Sequence, residues 1–153
     1  MRMLRTRVAA IVAGIVALGA LLLAEPQGSL ESGGKRSTAA GVYTASQASR
    51  GQVQYLNSCE GCHGPDLQGD SGEEIPALSG ADFMATWNGK TVKELFEKMS
   101  RSMPASAPAS LQRQDYVDVV AFILQANQLP PGKDALAADV ERLDRIVIEK
   151  SSR

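Results

Sequence analysis

The apolar positions of the chain form one continuous run near the N-terminus and, farther along, stretches with helical spacing. Residues 8–24 contain no charged side chain. In the second half, Tyr116, Val119, Val120 and Ile123 recur three or four positions apart, which is the spacing of one helix face. No stretch has a strong strand pattern of alternating apolar and polar positions. The pattern predicts an all-α protein.

Threonine capping pairs mark the starts of two helices. In a capping box, a threonine and a glutamate or glutamine three residues later satisfy the first backbone N–H groups of a helix. Thr44 with Gln47 has this spacing. Thr91 with Glu94 has it as well. The helices predicted around the domain are those over about 45–57, 91–99 and 111–125.

A further helix is predicted at the C-terminus, after the chain break at Pro130, Pro131 and Gly132. It is expected to be amphipathic and to lie within residues 134–153, because its apolar positions again have helical spacing. These positions are Leu136, Val140, Leu143, Ile146 and Val147.

The N-terminal residues have the pattern of an export signal, since Arg2, Arg5 and Arg7 precede the apolar run. The run has 17 residues, close to the lower limit of about 17 for a membrane-spanning helix. A cleaved signal peptide and a retained membrane anchor therefore both stay open. The predicted segments are a signal peptide or anchor (1–24), a flexible Gly/Ser-rich linker (25–42), one domain (43–133) and the C-terminal helix (134–153).

The charge balance excludes one class of partner. The formal net charge is −1, and no basic cluster is dense enough to indicate a nucleic-acid partner. Loss of the first 24 residues would remove three arginines and bring the charge to −4. Aromatic residues make up only 5% of the chain, so a flat apolar cofactor would help to fill the core.

The sequence Cys59-Glu60-Gly61-Cys62-His63 is the attachment signature of c-type haem. Two thiols three positions apart can each bond one vinyl group of the haem, and the histidine then lies beside the iron as an axial ligand. A disulfide between the two cysteines is an alternative in an oxidising compartment. A thioredoxin-like motif would need a βαβ context, and a structural zinc site would need more ligands than these.

The second axial ligand is sought among the methionines, because His63 is the only histidine. Met/His ligation is the remaining common arrangement and raises the reduction potential. Met103 is favoured, since it precedes Pro104 in a stretch that is not helical. Met99, at helical spacing from Leu95, is its main rival, and core packing is the simpler role for it.

The ordered motifs of residues 43–133 resemble those of class I mono-haem c-type cytochromes. They are most similar to the cytochrome domains associated with pyrroloquinoline-quinone-dependent dehydrogenases. The motifs that carry the resemblance are Gly51-x-x-x-Tyr55, Cys59-x-x-Cys62-His63-Gly64, Leu67-x-Gly69, Pro76-x-Leu78-x-Gly80, Trp87, Met103-Pro104 and the helix over 116–124.

The resemblance implies a cytochrome c fold, a small helical domain around one covalent haem c, and roles for three further residues. The carbonyl of Pro76 would accept the second N–H of the histidine, or Pro76 is an ordinary loop proline. Trp87 would donate to a haem propionate, or it is a core aromatic. Gly51 would let the first helix pass close to the helix over 111–125.

The expected function is periplasmic single-electron transfer without enzymatic activity. The resemblance names a quinoprotein dehydrogenase as donor and a downstream cytochrome or oxidase as acceptor, with membrane attachment possible through residues 8–24. The negative charge would favour partners with positive docking patches. The alternatives are a haem subunit of a larger membrane oxidoreductase and a gas-binding or peroxidase-like haem protein.

Overall fold

The structure, a computed structural model, describes residues 34–150, which contain six α-helices, two short strands and one 3-10 helix over Thr38–Ala40. The expected signal or anchor (1–24) lies outside this part. No helix within 34–150 is long and apolar enough to cross a membrane. In chain order the elements are β1 (Arg36–Ser37), α1 (Ala45–Ser58), α2 (Glu60–His63), α3 (Gly80–Trp87), α4 (Val92–Ser102), α5 (Arg113–Ala126), α6 (Val140–Asp144) and β2 (Ile146–Val147).

The two threonine caps both form, but only one is a complete capping box. At α4, the Thr91 hydroxyl accepts the N–H of Glu94, and the Glu94 carboxylate accepts the N–H of Thr91. At α1, Thr44 accepts the N–H of Gln47 at 3.2 Å. The Gln47 side chain does not return the bond, because it is fully buried between helices.

Helix α1 crosses α5 at very short range at Gly51. A Cβ atom at this position would lie 1.8 Å from the backbone oxygen of Asp118, so only glycine permits the crossing. One turn later the rings of Tyr55 and Phe122 pack with their centroids 5.3 Å apart. The expected close approach of these two helices is confirmed.

A buried polar network lies beside this crossing. The Asp118 carboxylate is 5% exposed and accepts hydrogen bonds from Gln47 (3.0 Å), Arg50 (2.7 Å) and Gln114 (2.8 Å). Gln47 also donates to the carbonyl of Leu136 at 2.9 Å and accepts its N–H at 2.7 Å. The network therefore joins α1, α5 and the chain that follows α5.

The C-terminal helix predicted over 134–153 is not confirmed. Of its described residues, 134–150, only the five of α6 are α-helical, and the chain then becomes extended in β2. Strand β2 pairs in parallel with β1, and Ile148 exchanges backbone hydrogen bonds of 2.8 Å with Gly89 and Lys90. Pairing with distant backbone thus replaces the continuation of the helix.

The last residues of the linker predicted over 25–42 are folded onto the C-terminal segment, and residues 25–33 lie outside the described part. Thr38 is fully buried, and its hydroxyl donates to the carbonyl of Glu149 at 2.9 Å and accepts the Glu149 N–H at 3.0 Å. Val42 is 4% exposed and belongs to the core. Residues 36–42 are therefore part of the folded domain, because the C-terminal segment packs on them.

Candidate functional site

The Cys59-x-x-Cys62-His63 motif lies where α1 passes into α2. Cys59 is the C-cap of α1, and its N–H donates to the carbonyl of Tyr55 at 2.8 Å. Cys59 is half-buried, Cys62 is exposed, and both are free thiols, with no disulfide between them. The short helix α2 carries Cys62 and His63 on the turn that follows. Both thiols and the imidazole are therefore presented within two turns of chain.

The imidazole of His63 is 7% exposed and is oriented by a backbone carbonyl. Its Nδ1 atom lies 3.1 Å from the oxygen of Pro76. In the tautomer with the proton on Nδ1, the ring donates to this carbonyl and keeps a lone pair on Nε2. No residue between 34 and 150 forms a hydrogen bond with Nε2.

Gly69 brings the Pro76 carbonyl and His63 together. Its φ of +65° is in the left-handed region, and its N–H donates to the His63 carbonyl at 3.0 Å. A Cβ atom at Gly69 would lie 2.3 Å from the oxygen of Ile75 and 2.7 Å from that of Pro76. The absence of a side chain therefore lets the two parts of the loop over 64–79 pack against each other.

Two further side chains hold this loop, and the sequence alone did not indicate their roles. The Tyr55 hydroxyl donates to the carbonyl of Gly64 at 2.5 Å. Asn127 is 2% exposed; it donates to the carbonyl of Leu78 and accepts the N–H of Gly80, both at 3.0 Å. No local signal marks these roles, since the partners are backbone groups distant in sequence.

The structure places the two candidate methionines in different surroundings. Met99 lies in the third turn of α4, is 9% exposed and belongs to the hydrophobic core. Met103 is the half-buried C-cap of α4, at the start of a non-helical stretch. Its carbonyl accepts the Tyr116 hydroxyl at 2.7 Å, so the backbone that carries this thioether is fixed to α5.

Trp87 is the last residue of α3 and is half-buried. Its ring packs 6.3 Å from that of Phe83, and the Lys90 ammonium lies 4.9 Å from its centroid. Within the described residues, its indole N–H has no hydrogen-bond partner. Trp87 is therefore a core-edge aromatic with a donor available to a further acceptor.

Burial raises the pKa of two groups at the end of α1, Cys59 and Tyr55. Burial, and then the neighbouring Cys62, raise the pKa of the Cys59 thiol to about 11, so the thiol stays protonated at neutral pH. Burial also raises the pKa of Tyr55 to about 12, with smaller contributions from the charges of Cys59, Asp66 and Glu60. The end of α1 is therefore a partly desolvated site with carboxylates close by.

We expect the protein to lose stability in alkali between about pH 10 and pH 12. Burial raises the pKa of both Tyr43 and Tyr55 from 10.0 to about 12. The folded state therefore favours the protonated phenols, and this stabilisation is complete below pH 10 and lost as the pH rises through 12. Tyrosinate absorbance followed together with circular dichroism measures it. Titration of every tyrosine near pH 10 with the helical signal intact would contradict it.

The donor set fits a covalent haem better than the other groups that bind such motifs. The residues described contain no cluster of three or more His, Cys, Asp or Glu side chains that would hold a metal ion directly. They do offer two free thiols at the spacing for two vinyl groups, and a nearly buried imidazole whose Nε2 is available. Two thiols and an imidazole at this spacing are the groups that haem c requires.

The comparisons with known proteins agree with this chemistry. Residues 46–123, half of the chain, match the family model described as cytochrome c oxidase, cbb3-type, subunit III. The match begins in α1 and ends in α5, so it includes the thiols, the histidine and Met103. No curated protein and no solved structure matches the chain significantly. The chain therefore belongs to the cbb3-type cytochrome c oxidase subunit III family and is a c-type cytochrome.

Proposed function

We propose that the protein carries single electrons through one haem c, which is bonded to Cys59 and Cys62 and has His63 and Met103 as its axial ligands. The observation that supports this best is the 3.1 Å contact between His63 Nδ1 and the Pro76 carbonyl. A hydrogen bond there orients the ring, increases its basicity and leaves Nε2 for iron. Haem c supplies the one-electron redox chemistry when it is bound.

The surroundings of Met103 support its assignment as the second ligand. A thioether is a soft ligand that suits iron in a low-polarity site. Met103 is half-buried at the end of α4, and its backbone is held by Tyr116 and by a 2.8 Å bond from its N–H to the Met99 carbonyl. With both axial positions filled, no substrate reaches the iron, so we propose electron transfer and no enzymatic activity.

Trp87 and Pro76 complete the proposed site. The unpartnered indole N–H of Trp87 is the donor that we assign to a haem propionate, with the nearby Lys90 ammonium adding positive charge. Pro76 acts on iron only through His63. Both are positioning residues in this proposal.

Two measurements on the full-length holoprotein test the proposed function. Denatured protein should retain one haem per chain, and a potentiometric titration should fit a reversible one-electron couple. The double variant Cys59→Ser with Cys62→Ser should retain no haem after denaturation, because a serine hydroxyl does not add to the vinyl groups. Haem that survives denaturation in this variant, or an irreversible titration, would refute the proposal.

We expect Gly69→Ala to raise the reduction potential by up to about 60 mV, a tenfold change in a one-electron equilibrium. The added Cβ would displace the carbonyls of Ile75 and Pro76, and weakening of the bond to His63 makes the imidazole a poorer donor to ferric iron. Potentiometry measures the change. The matched control is Gly72→Ala in the same loop, where the nearest atom is a side-chain oxygen at 3.2 Å. Equal potentials for both variants would contradict the role of Pro76.

We propose that the protein works outside the cytoplasm as a mono-haem carrier of class I. Its donor would be a pyrroloquinoline-quinone-dependent dehydrogenase and its acceptor another cytochrome or an oxidase. The resemblance of the motifs over 43–133 supports this, and so does the pattern of residues 1–24 as a signal peptide or anchor. Reduction by a purified quinoprotein dehydrogenase, compared with reduction by an unrelated dehydrogenase, tests the donor.

A second candidate function is that of a haem subunit in a larger membrane oxidoreductase. The family description, which names a subunit of a cytochrome c oxidase, favours it. Mild-detergent purification from native membranes separates the two candidates. A stoichiometric membrane partner would favour the subunit, and a cytochrome recovered alone would favour the free carrier.

A further inference from the structure

The large hydrophobic side chains that are exposed in the described part of the chain lie together on α1. They are Val53, 61% exposed, and Leu56, 48% exposed. A spacing of three residues places them on one face of the helix. This face leads directly into the attachment motif, because Leu56 is three residues before Cys59 and four before Glu60. Apolar surface is therefore exposed beside the thiols that we assign to haem.

The one cation close to this pair on α1, Arg50, is paired with the Asp118 carboxylate at 2.7 Å, and the chain that follows the pair carries only negative charge up to Lys90. Between Arg50 and Lys90 the sequence has six acidic residues and no lysine or arginine. In the described structure none of the six forms an ion pair. They are Glu60, Asp66, Asp70, Glu73, Glu74 and Asp82.

Two of these carboxylates are near the end of α1. Glu60 is the first residue of α2, four residues after Leu56 in the sequence. Asp66 lies two residues after Gly64, whose carbonyl accepts the Tyr55 hydroxyl. The charges of both act on that hydroxyl, as the raised pKa of Tyr55 records. The apolar pair is thus bordered by acidic groups on the side of the attachment motif.

We propose that Val53 and Leu56, with Glu60 and Asp66 at their edge, form the docking surface for a redox protein that presents an apolar contact surrounded by lysine and arginine. This inference rests on the proposed electron-transfer function and names the chemistry of the partner. An apolar centre with a charged rim is the usual anatomy of a protein interface. Opposite charge at the rim steers the encounter, and contact beside the thiols brings the partner close to the haem.

The charge pattern argues against two other occupants. A second copy of the chain would bring its own Glu60 and Asp66 to the same face, because a two-fold dimer joins identical patches, and like charges would repel. A membrane surface rich in anionic lipid would be repelled in the same way. A cationic protein surface would not be repelled by these carboxylates.

The test uses the reduced, full-length holoprotein and two small oxidants of opposite charge. Tris(phenanthroline)cobalt(III), a cation with apolar faces, is the probe that resembles the partner, and ferricyanide is the anionic comparison. Stopped-flow rates with the cobalt complex should fall as ionic strength rises, and rates with ferricyanide should increase.

Variants of the surface separate its apolar and charged parts. The double variant Val53→Ser with Leu56→Ser should slow the cobalt reaction roughly threefold to tenfold and leave ferricyanide within twofold. The pair Glu60→Gln with Asp66→Asn should flatten the salt dependence of the cobalt reaction. The matched control is Glu141→Gln with Asp139→Asn, in and before α6, which makes the same charge change elsewhere and should alter neither rate.

The outcomes distinguish this inference from the function on which it rests. Fast electron exchange with both oxidants, with equal salt dependence and no effect of the surface variants, would overturn the docking surface and leave the carrier function standing. A concentration-dependent dimer that the Val53→Ser, Leu56→Ser variant abolishes would assign the face to a second copy and overturn the proposal too. Failure to exchange electrons with either oxidant would refute the carrier function.

Discussion

Replacing Gly51 with alanine should lower the free energy of unfolding by about 3 kcal/mol, at the upper end of the effect of adding one methyl group to a packed interior. The new Cβ would lie 1.8 Å from the Asp118 oxygen, and the next contacts are also backbone atoms of α5. Backbone cannot yield as a flexible side chain does, so α1 and α5 must separate. Urea denaturation of the holoprotein, followed by circular dichroism, measures the change.

The control for this prediction is Gly61→Ala in α2. A Cβ at Gly61 meets no atom within 4 Å, and the position is exposed. We expect its free energy of unfolding to change by less than about 0.5 kcal/mol. Similar small changes for the two variants would show that the helices can part at little cost, and would contradict the account of the crossing.

Replacing Met103 with alanine should remove the weak long-wavelength absorption band of methionine–iron coordination in the oxidised protein. It should also lower the reduction potential by about 60 mV or more, at least a tenfold shift of a one-electron equilibrium toward the oxidised state. The reason is that thioether ligation favours ferrous iron, and a water molecule or hydroxide in its place does not. Absorption spectroscopy and potentiometry on the full-length holoprotein measure both effects.

The matched variant is Met99→Ala, four residues earlier on α4. Met99 is 9% exposed in the core, so its truncation should lower the stability by about 2–5 kcal/mol and leave the absorption band in place. Met103→Ala is therefore expected to change the absorption spectrum, and Met99→Ala to lower the stability. A band that survives in Met103→Ala and disappears in Met99→Ala would reverse the assignment.

Helices with local signals could be predicted from the sequence. Helices α4 and α5 have caps or long apolar periodicity, and α1 begins within a residue of the Thr44 cap. Helix α3 was not predicted, because its eight residues begin with Gly80 and lack a side-chain cap. Apolar spacing and capping residues are local signals that act within a few positions of the chain. They predict only the helices that carry such signals.

The C-terminal segment shows where such reasoning fails. Leu143 and Ile146 have helical spacing, but each is buried for a different reason: Leu143 in α6 and Ile146 in a strand that pairs with β1. The partner strand is 110 residues earlier, in a stretch whose composition is typical of a linker. Strand pairing over this distance cannot be predicted from the spacing of nearby apolar residues. The pairing of β2 with β1 therefore determines the conformation of this segment, and its helical spacing does not.

The chemical groups of the candidate site could be predicted from the motif, but the residues that hold them in position could not. Cys59, Cys62 and His63 are adjacent in sequence and need no fold to be recognised. Pro76 entered through a resemblance, and the 3.1 Å contact with His63 now supports its role. The packing of Gly69 against this loop depends on backbone atoms six and seven residues away in a conformation that the sequence does not disclose.

Exposure of the reduced, full-length holoprotein to carbon monoxide at neutral pH tests whether both axial positions of the iron are filled. If His63 and Met103 both bind the iron, the ligand has no open position, and the visible spectrum should remain that of the reduced cytochrome after rapid mixing. The Met103→Ala variant, under the same conditions, should bind carbon monoxide readily. Rapid binding by the unaltered protein would show an open position at the iron and contradict its assignment as an electron carrier.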